Sequence, residues 1–112
     1  MTSTEIQTEL LKKLKEYDLI CEPCAIAVAE FERYEDMKRT TLSLIMENFN
    51  GSETSKENKA YGNTIFTDWI EKKKQARMEA LNLQAKKRGL ELWIDSLRSL
   101  LSFEKTSVGL HT

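Results

Sequence analysis

The sequence predicts an all-α fold: a long antiparallel helical hairpin with a kinked first arm, assembled into an oligomer. Residues 64–104 read as one helix in which Trp69, Ala76, Leu83, Leu90 and Leu97 recur at every seventh position. Phe66, Ala80, Ile94 and Leu101 form the second line of the same face. At 1.5 Å per residue such a helix runs to roughly 60 Å, about twice the width of a small domain, so another long helix or another chain must cover its stripe. One proline and four glycines in 112 residues leave few places to turn. Residues 5–49 and 55–104 then make two arms of nearly equal length about the Asn50–Thr54 turn. A three-helix bundle, with residues 5–18 folded back on the second helix, is the alternative.

The first helix is expected over about 4–18. Thr2 with Glu5, and Thr4 with Gln7, fit the capping box that satisfies the free N–H groups of a first turn, and Ile6, Leu10, Leu14 and Tyr17 share a face. Pro23 lacks an N–H and disfavours helical geometry at Glu22, which predicts a stop or kink near Leu19–Glu22. The second helix is expected over 23–49, with Pro23 as its first residue and Cys24, Val28, Phe31, Leu42, Ile45 and Phe49 along one stripe. Tyr34, Met37 and Leu44 lie beside that stripe. Asn50 and Gly51 end it, Gly51 as a left-handed cap. Thr54 with Glu57 opens a short helix over 55–61, Gly62 and Asn63 interrupt it, and the long helix follows over 64–104, with a loose tail over 106–112.

In antiparallel register Glu32 and Glu35 fall near Arg77 and Lys74, while Ile6, Leu10 and Leu14 fall near Leu101, Leu97 and Ile94. A two-helix hairpin has one buried seam, which rarely stabilises a chain of this size alone. The segment from Leu90 to Phe103 is apolar beyond one seam, and a buried large side chain is worth roughly 1.5–3 kcal/mol. Leu90, Trp93, Ile94, Leu97, Leu100, Leu101 and Phe103 are therefore the expected oligomer or partner interface.

Composition is that of a single helical domain, 40% hydrophobic and 31% charged. No apolar run approaches the ~20 residues of a membrane span, and Met1–Leu11 has neither the basic start nor the apolar core of a secretory leader. A cytoplasmic protein without membrane contact is expected, so Asn50-Gly51-Ser52 reads as a turn and not as a glycosylation site. Net charge is −1, unevenly placed: residues 1–60 carry eight Lys/Arg against twelve Asp/Glu (−4), and residues 61–112 carry nine against six (+3). Such a dipole suits antiparallel pairing and is far from the acidity of a DNA mimic.

Cys21-Glu22-Pro23-Cys24 places a C-x-P-C sequence at the expected helix start, where a helix dipole lowers a thiol pKa. Thioredoxin-like enzymes present that arrangement at a strand-to-helix junction, and no strand is legible here. Three readings stand: reduced cysteines used as small apolar residues, a redox pair, or a zinc site shared by two copies of the motif, since His111 is the only histidine. With one histidine, no Ser/His/Asp or Cys/His constellation, and glycines that occur singly, the chain is expected to be neither an enzyme nor a cofactor binder.

Lys72, Lys73, Lys74, Arg77, Lys86, Lys87 and Arg88 are opposed within their own helix by only Glu71 and Glu79. They are the candidate nucleic-acid-binding set, with Trp69 or Tyr61 available to stack on bases. The competing reading pairs them across the hairpin with Glu30, Glu32, Glu35 and Asp36, and places Trp69 in the core.

The stretch from Arg33-Tyr34-Glu35-Asp36-Met37-Lys38-Arg39 through Leu42, Leu44 and Phe49 to Asn50-Gly51, then a charged connector and a long Trp-containing helix, resembles tailed-phage recombination mediators of the UvsY type. The likeness is one of layout and covers about residues 31–104. It implies a ring-forming, non-enzymatic protein of the host-cell cytoplasm that binds single-stranded DNA and helps load a recombinase. The chain departs from that pattern in its slightly acidic balance and in the glutamates of its second helix. The alternative function is a protein-only adaptor or inhibitor acting through the C-terminal helix.

Overall fold

The computed structural model describes the backbone of residues 1–111 and the side chains of residues 1–106. The protein is all-α, a helical hairpin with a bend in its first arm. Four helices follow one another: α1 (Ser3–Asp36), α2 (Lys38–Met46), α3 (Glu53–Tyr61) and α4 (Thr64–His111). They divide into two compact units, one of residues 1–25 with 82–112 and one of residues 26–81.

Helix α1 begins as the capping pattern requires, with the Thr2 hydroxyl accepting from the Glu5 N–H at 3.2 Å. It then continues through Pro23, against the expected break near Leu19–Glu22 and against the bundle in which residues 5–18 fold back. Proline inside a helix removes one backbone hydrogen bond and costs about 3 kcal/mol. Pro23 is exposed, while Cys24 and Ala27 on the following turn are buried at 4% and 7% exposure, so packing holds the helix across the defect. The bend falls instead at Met37, between α1 and α2. There the run from Glu32 to Arg39 offers only Tyr34 and Met37 as apolar residues, and little packing opposes an interruption.

In the unit of residues 26–81, Ile45, Ala60, Phe66 and Trp69 form the buried core, with Tyr34, Leu42, Met46, Phe49 and Ile70 packed against it. Helix α2 ends at Met46 with Glu47 as its C-cap, short of the expected end at 49, so Gly51, with φ of +120°, lies in the turn just ahead of α3 and does not cap α2. Ser52, not Thr54, caps α3: its hydroxyl accepts from the Ser55 N–H at 3.2 Å. Thr54, two residues further on, already lies within the first turn of α3. The Asn63 side-chain oxygen accepts from the Ile65 N–H at 2.8 Å and opens α4.

In the unit of residues 1–25 and 82–112, Ile6, Cys24, Ile94 and Leu97 are buried. Leu14 and Tyr17 of α1 line one cleft with Ile94 and Glu91 of α4, in keeping with the antiparallel register. The α4 helix extends to His111, past the expected end at 104. The loose tail expected over 106–112 lies, beyond Thr106, outside the described side chains.

Candidate polyanion-binding groove

The groove begins with the aromatic core of the unit 26–81. Tyr61 meets Phe66 edge to face at 5.1 Å, and Phe66 stacks on Trp69 at 5.3 Å with 25° between the rings. Four residues beyond Trp69 in α4, one helical turn on, Lys73 lies over the indole, its ammonium 5.3 Å from the ring centroid. Lys74 and Arg77 follow on α4, and Lys38 enters from the first residue of α2. Together Lys38, Tyr61, Phe66, Trp69, Ile70, Lys73, Lys74 and Arg77 line a groove of about 420 Å³ with four cations and no carboxylate in its walls.

The bend at Met37 is what makes Lys38 the start of a new helix. An unbroken helix over 23–49 gives no reason to single it out, and Lys38 was not legible as a site residue for that reason. Trp69 is 7% exposed and its Nε1 is buried without a hydrogen-bond partner among the described residues, so this ring floors the groove and does not offer a stacking face. Tyr61, 42% exposed, is the aromatic that a base can reach.

The cross-hairpin ion pairs do not form among the described residues. Glu30 instead holds Arg33 of its own helix at 2.6 Å, and Arg33 lies over the Tyr34 ring at 5.0 Å. The hydrogen bond from Arg33 lowers the Glu30 carboxyl below its ordinary pKa, and the same bond raises the guanidinium. The other described ion pairs, Lys13 with Glu9 and Glu16 and Arg88 with Glu91, also lie within a turn of one helix. Lys72, Lys73, Lys74, Arg77 and Lys86 have no carboxylate within 4.0 Å among the described residues. Local pairs win because three- and four-residue spacing aligns them without ordering a distant side chain.

Of the seven basic residues singled out in the sequence, the structure gathers Lys73, Lys74 and Arg77 into this groove, and Lys72 is exposed outside its lining. Lys86, Lys87 and Arg88 belong to the other unit. There Lys87 lies 5.9 Å from the Tyr17 ring and Arg88 holds Glu91 at 3.3 Å. The Tyr17 hydroxyl donates to the same Glu91 carboxylate at 3.3 Å. Desolvation raises the Tyr17 phenol above its ordinary pKa, and Cys21 and Glu91 add to the rise.

Cys21 and Cys24 are free, the first half-buried and the second buried. They sit inside α1 and not at a helix start, so no run of free N–H groups faces either sulfur. No group of three or more His, Cys, Asp or Glu able to hold a metal occurs among the described residues. The residues of the expected interface differ in exposure. Ile94 and Leu97 are 5% and 2% exposed, taken up by the chain's own seam, and Leu90 and Leu101 are half-buried. Trp93, Leu100 and Phe103 remain at the surface, and Leu92, of the same apolar stretch, is exposed with them. Among the described residues no helix is long and apolar enough to cross a membrane.

Fold and groove together define a small all-α chain with a basic, aromatic-floored cleft. No protein-family model, curated protein or solved structure matches it.

Proposed function

We propose that the protein is a non-catalytic accessory factor that binds a single-stranded nucleic acid in the groove of Lys38, Lys73, Lys74 and Arg77. The observation that carries this reading is the convergence of four cations from two helices beside an exposed tyrosine, with no carboxylate in the lining. Cations left without intramolecular partners gain most from releasing the counterions of a phosphate backbone. A neighbouring aromatic ring adds about 1–3 kcal/mol per stacked base without demanding a sequence. The resemblance in layout to phage recombination mediators gives this activity a setting: an oligomeric accessory protein of DNA recombination or replication, in the cytoplasm, working beside a recombinase or a replication protein.

The test is fluorescence anisotropy of a labelled thymidine oligonucleotide titrated with the purified chain at low salt. Saturable binding is expected, lost when Lys73, Lys74 and Arg77 are together replaced by Glu and weakened by Lys38→Glu. Absence of binding at low salt, or binding indifferent to these changes, sinks the reading.

A second reading, a protein-only adaptor acting through the C-terminal helix, is favoured by the exposure of Leu92, Trp93, Leu100 and Phe103 at 46–69%. Under it, Trp93→Asp or Leu100→Asp abolishes partner capture while the groove variants leave it unchanged.

A further inference from the structure

Lys38, Lys73, Lys74 and Arg77 line one space of about 420 Å³. That lies within the range of roughly 300–1,000 Å³ in which whole small molecules bind. A single strand, with one phosphate charge per nucleotide, meets all four cations only by laying successive nucleotides along them. A nucleoside triphosphate brings its charge to one place, about two on the terminal phosphate and about one on each inner phosphate at neutral pH. Its charge therefore matches that of the lining.

Three further features suit a compact polyphosphate. Lys38 is the first residue of α2, whose N-cap Met37 makes no side-chain hydrogen bond and whose first turn holds no acid. The free N–H groups and partial positive charge of that helix end add to the Lys38 ammonium. Lys73 is held over the Trp69 indole, its ammonium 5.3 Å from the ring centroid, so it loses less freedom when an anion takes it. Trp69, 7% exposed and part of the same lining, keeps a buried Nε1–H without an acceptor among the described residues, and phosphate oxygens are acceptors. A base also has a platform. Tyr61 belongs to the lining, is exposed, and is steadied by Phe66 at right angles with 5.1 Å between the ring centroids.

We infer that the groove takes a nucleoside triphosphate, its phosphates among Lys38, Lys73, Lys74 and Arg77 and its base on Tyr61, and that this ligand and a single strand exclude one another there. The triphosphate site rests on the reading of this groove as a polyanion site and adds a control to it: strand is released as triphosphate rises. Only binding is involved, and no bond is made or broken.

Calorimetric titration of the full chain at low salt with ATP, ADP, AMP and inorganic tripolyphosphate contains no nucleic acid and is read apart from strand binding. ATP is expected to bind at a single site, with about a tenfold loss for each phosphate removed, the scale of a hydrogen bond to a charged group. Tripolyphosphate is expected to bind about tenfold more weakly than ATP, the share of a stacked base. Tyr61→Ala brings ATP down to the level of tripolyphosphate and leaves tripolyphosphate unchanged, whereas Lys38→Ala weakens both by about tenfold. Both residues are exposed, so helical circular dichroism stays at the wild-type level in the variants. In anisotropy, ATP displaces a bound labelled thymidine oligonucleotide. Absent ATP binding, AMP bound as tightly as ATP, tripolyphosphate equal to ATP on the wild-type chain, or ATP and strand bound together each overturns the proposal. Strand binding without ATP binding sinks the triphosphate site alone, and ATP binding without strand binding upholds that site and sinks the nucleic-acid reading.

Discussion

The Tyr17 hydroxyl donates to the Glu91 carboxylate at 3.3 Å across 74 positions of sequence, and among the described side-chain hydrogen bonds it alone joins distant segments. Every other one spans four residues or fewer. Register between the first and last parts of the chain therefore rests on apolar packing and on this one polar contact.

That contact has a pH signature. The folded-state phenol is raised above its ordinary pKa of about 10, so the unfolded chain releases this proton first as pH rises. Stability from the pair is full below the unfolded value and is lost as pH climbs through the folded one. Urea unfolding of wild type and Tyr17→Phe is expected to show a difference at neutral pH that shrinks above pH ~10. A constant difference would separate the hydrogen bond from the shift.

Pro23 sits in the interior of α1 and is exposed, so replacing it removes no packing. Pro23→Ala is expected to restore a helical hydrogen bond and raise stability by up to about 3 kcal/mol, read as a higher urea midpoint with unchanged slope.

Two glycines should respond with opposite sign. Gly51 has φ of +120°, which L side chains adopt only with strain, and Gly51→Ala is expected to cost about 1–3 kcal/mol. Gly89 lies within α4 with no atom within 4 Å of an added Cβ, and Gly89→Ala should stabilise by about 0.8–1 kcal/mol. Thermal unfolding of the two variants below the concentration of assembly gives the comparison.

Burial separates leucines that look equal in sequence. Leu97, 2% exposed, should lose about 2–5 kcal/mol on truncation to Ala, whereas Leu19, 72% exposed, should change by less than about 0.5 kcal/mol.

If the groove cations contact phosphates, the logarithm of the binding constant for a single strand should fall with the logarithm of salt concentration at a slope near −3, about −0.7 for each of four contacts. Each single charge removal, Lys38→Ala included, should make the slope shallower by about 0.7. A salt-independent constant would point to stacking alone.

Legible in the sequence alone are the helical class, the inner seam of α4 through Trp69, Ala76 and Leu97, the Thr2 cap and the positive φ of Gly51, though not the end of α2 at Met46. Each of these is set by local or strictly periodic chemistry: a hydroxyl three residues from an N–H, a positive φ, a seven-residue repeat. Only the packed chain settles that α1 runs through Pro23 and bends at Met37, because the burial of Cys24 and Ala27 outweighs the hydrogen bond that Pro23 cannot make. It also settles which cations stand together. Lys38 reaches the groove of Lys73, Lys74 and Arg77 only through the fold of residues 26–81, and Ile94 and Leu97 leave the outer surface only because α1 covers them. Periodicity shows that a face is apolar; what covers it depends on contacts between residues far apart in the chain, and those no local pattern records.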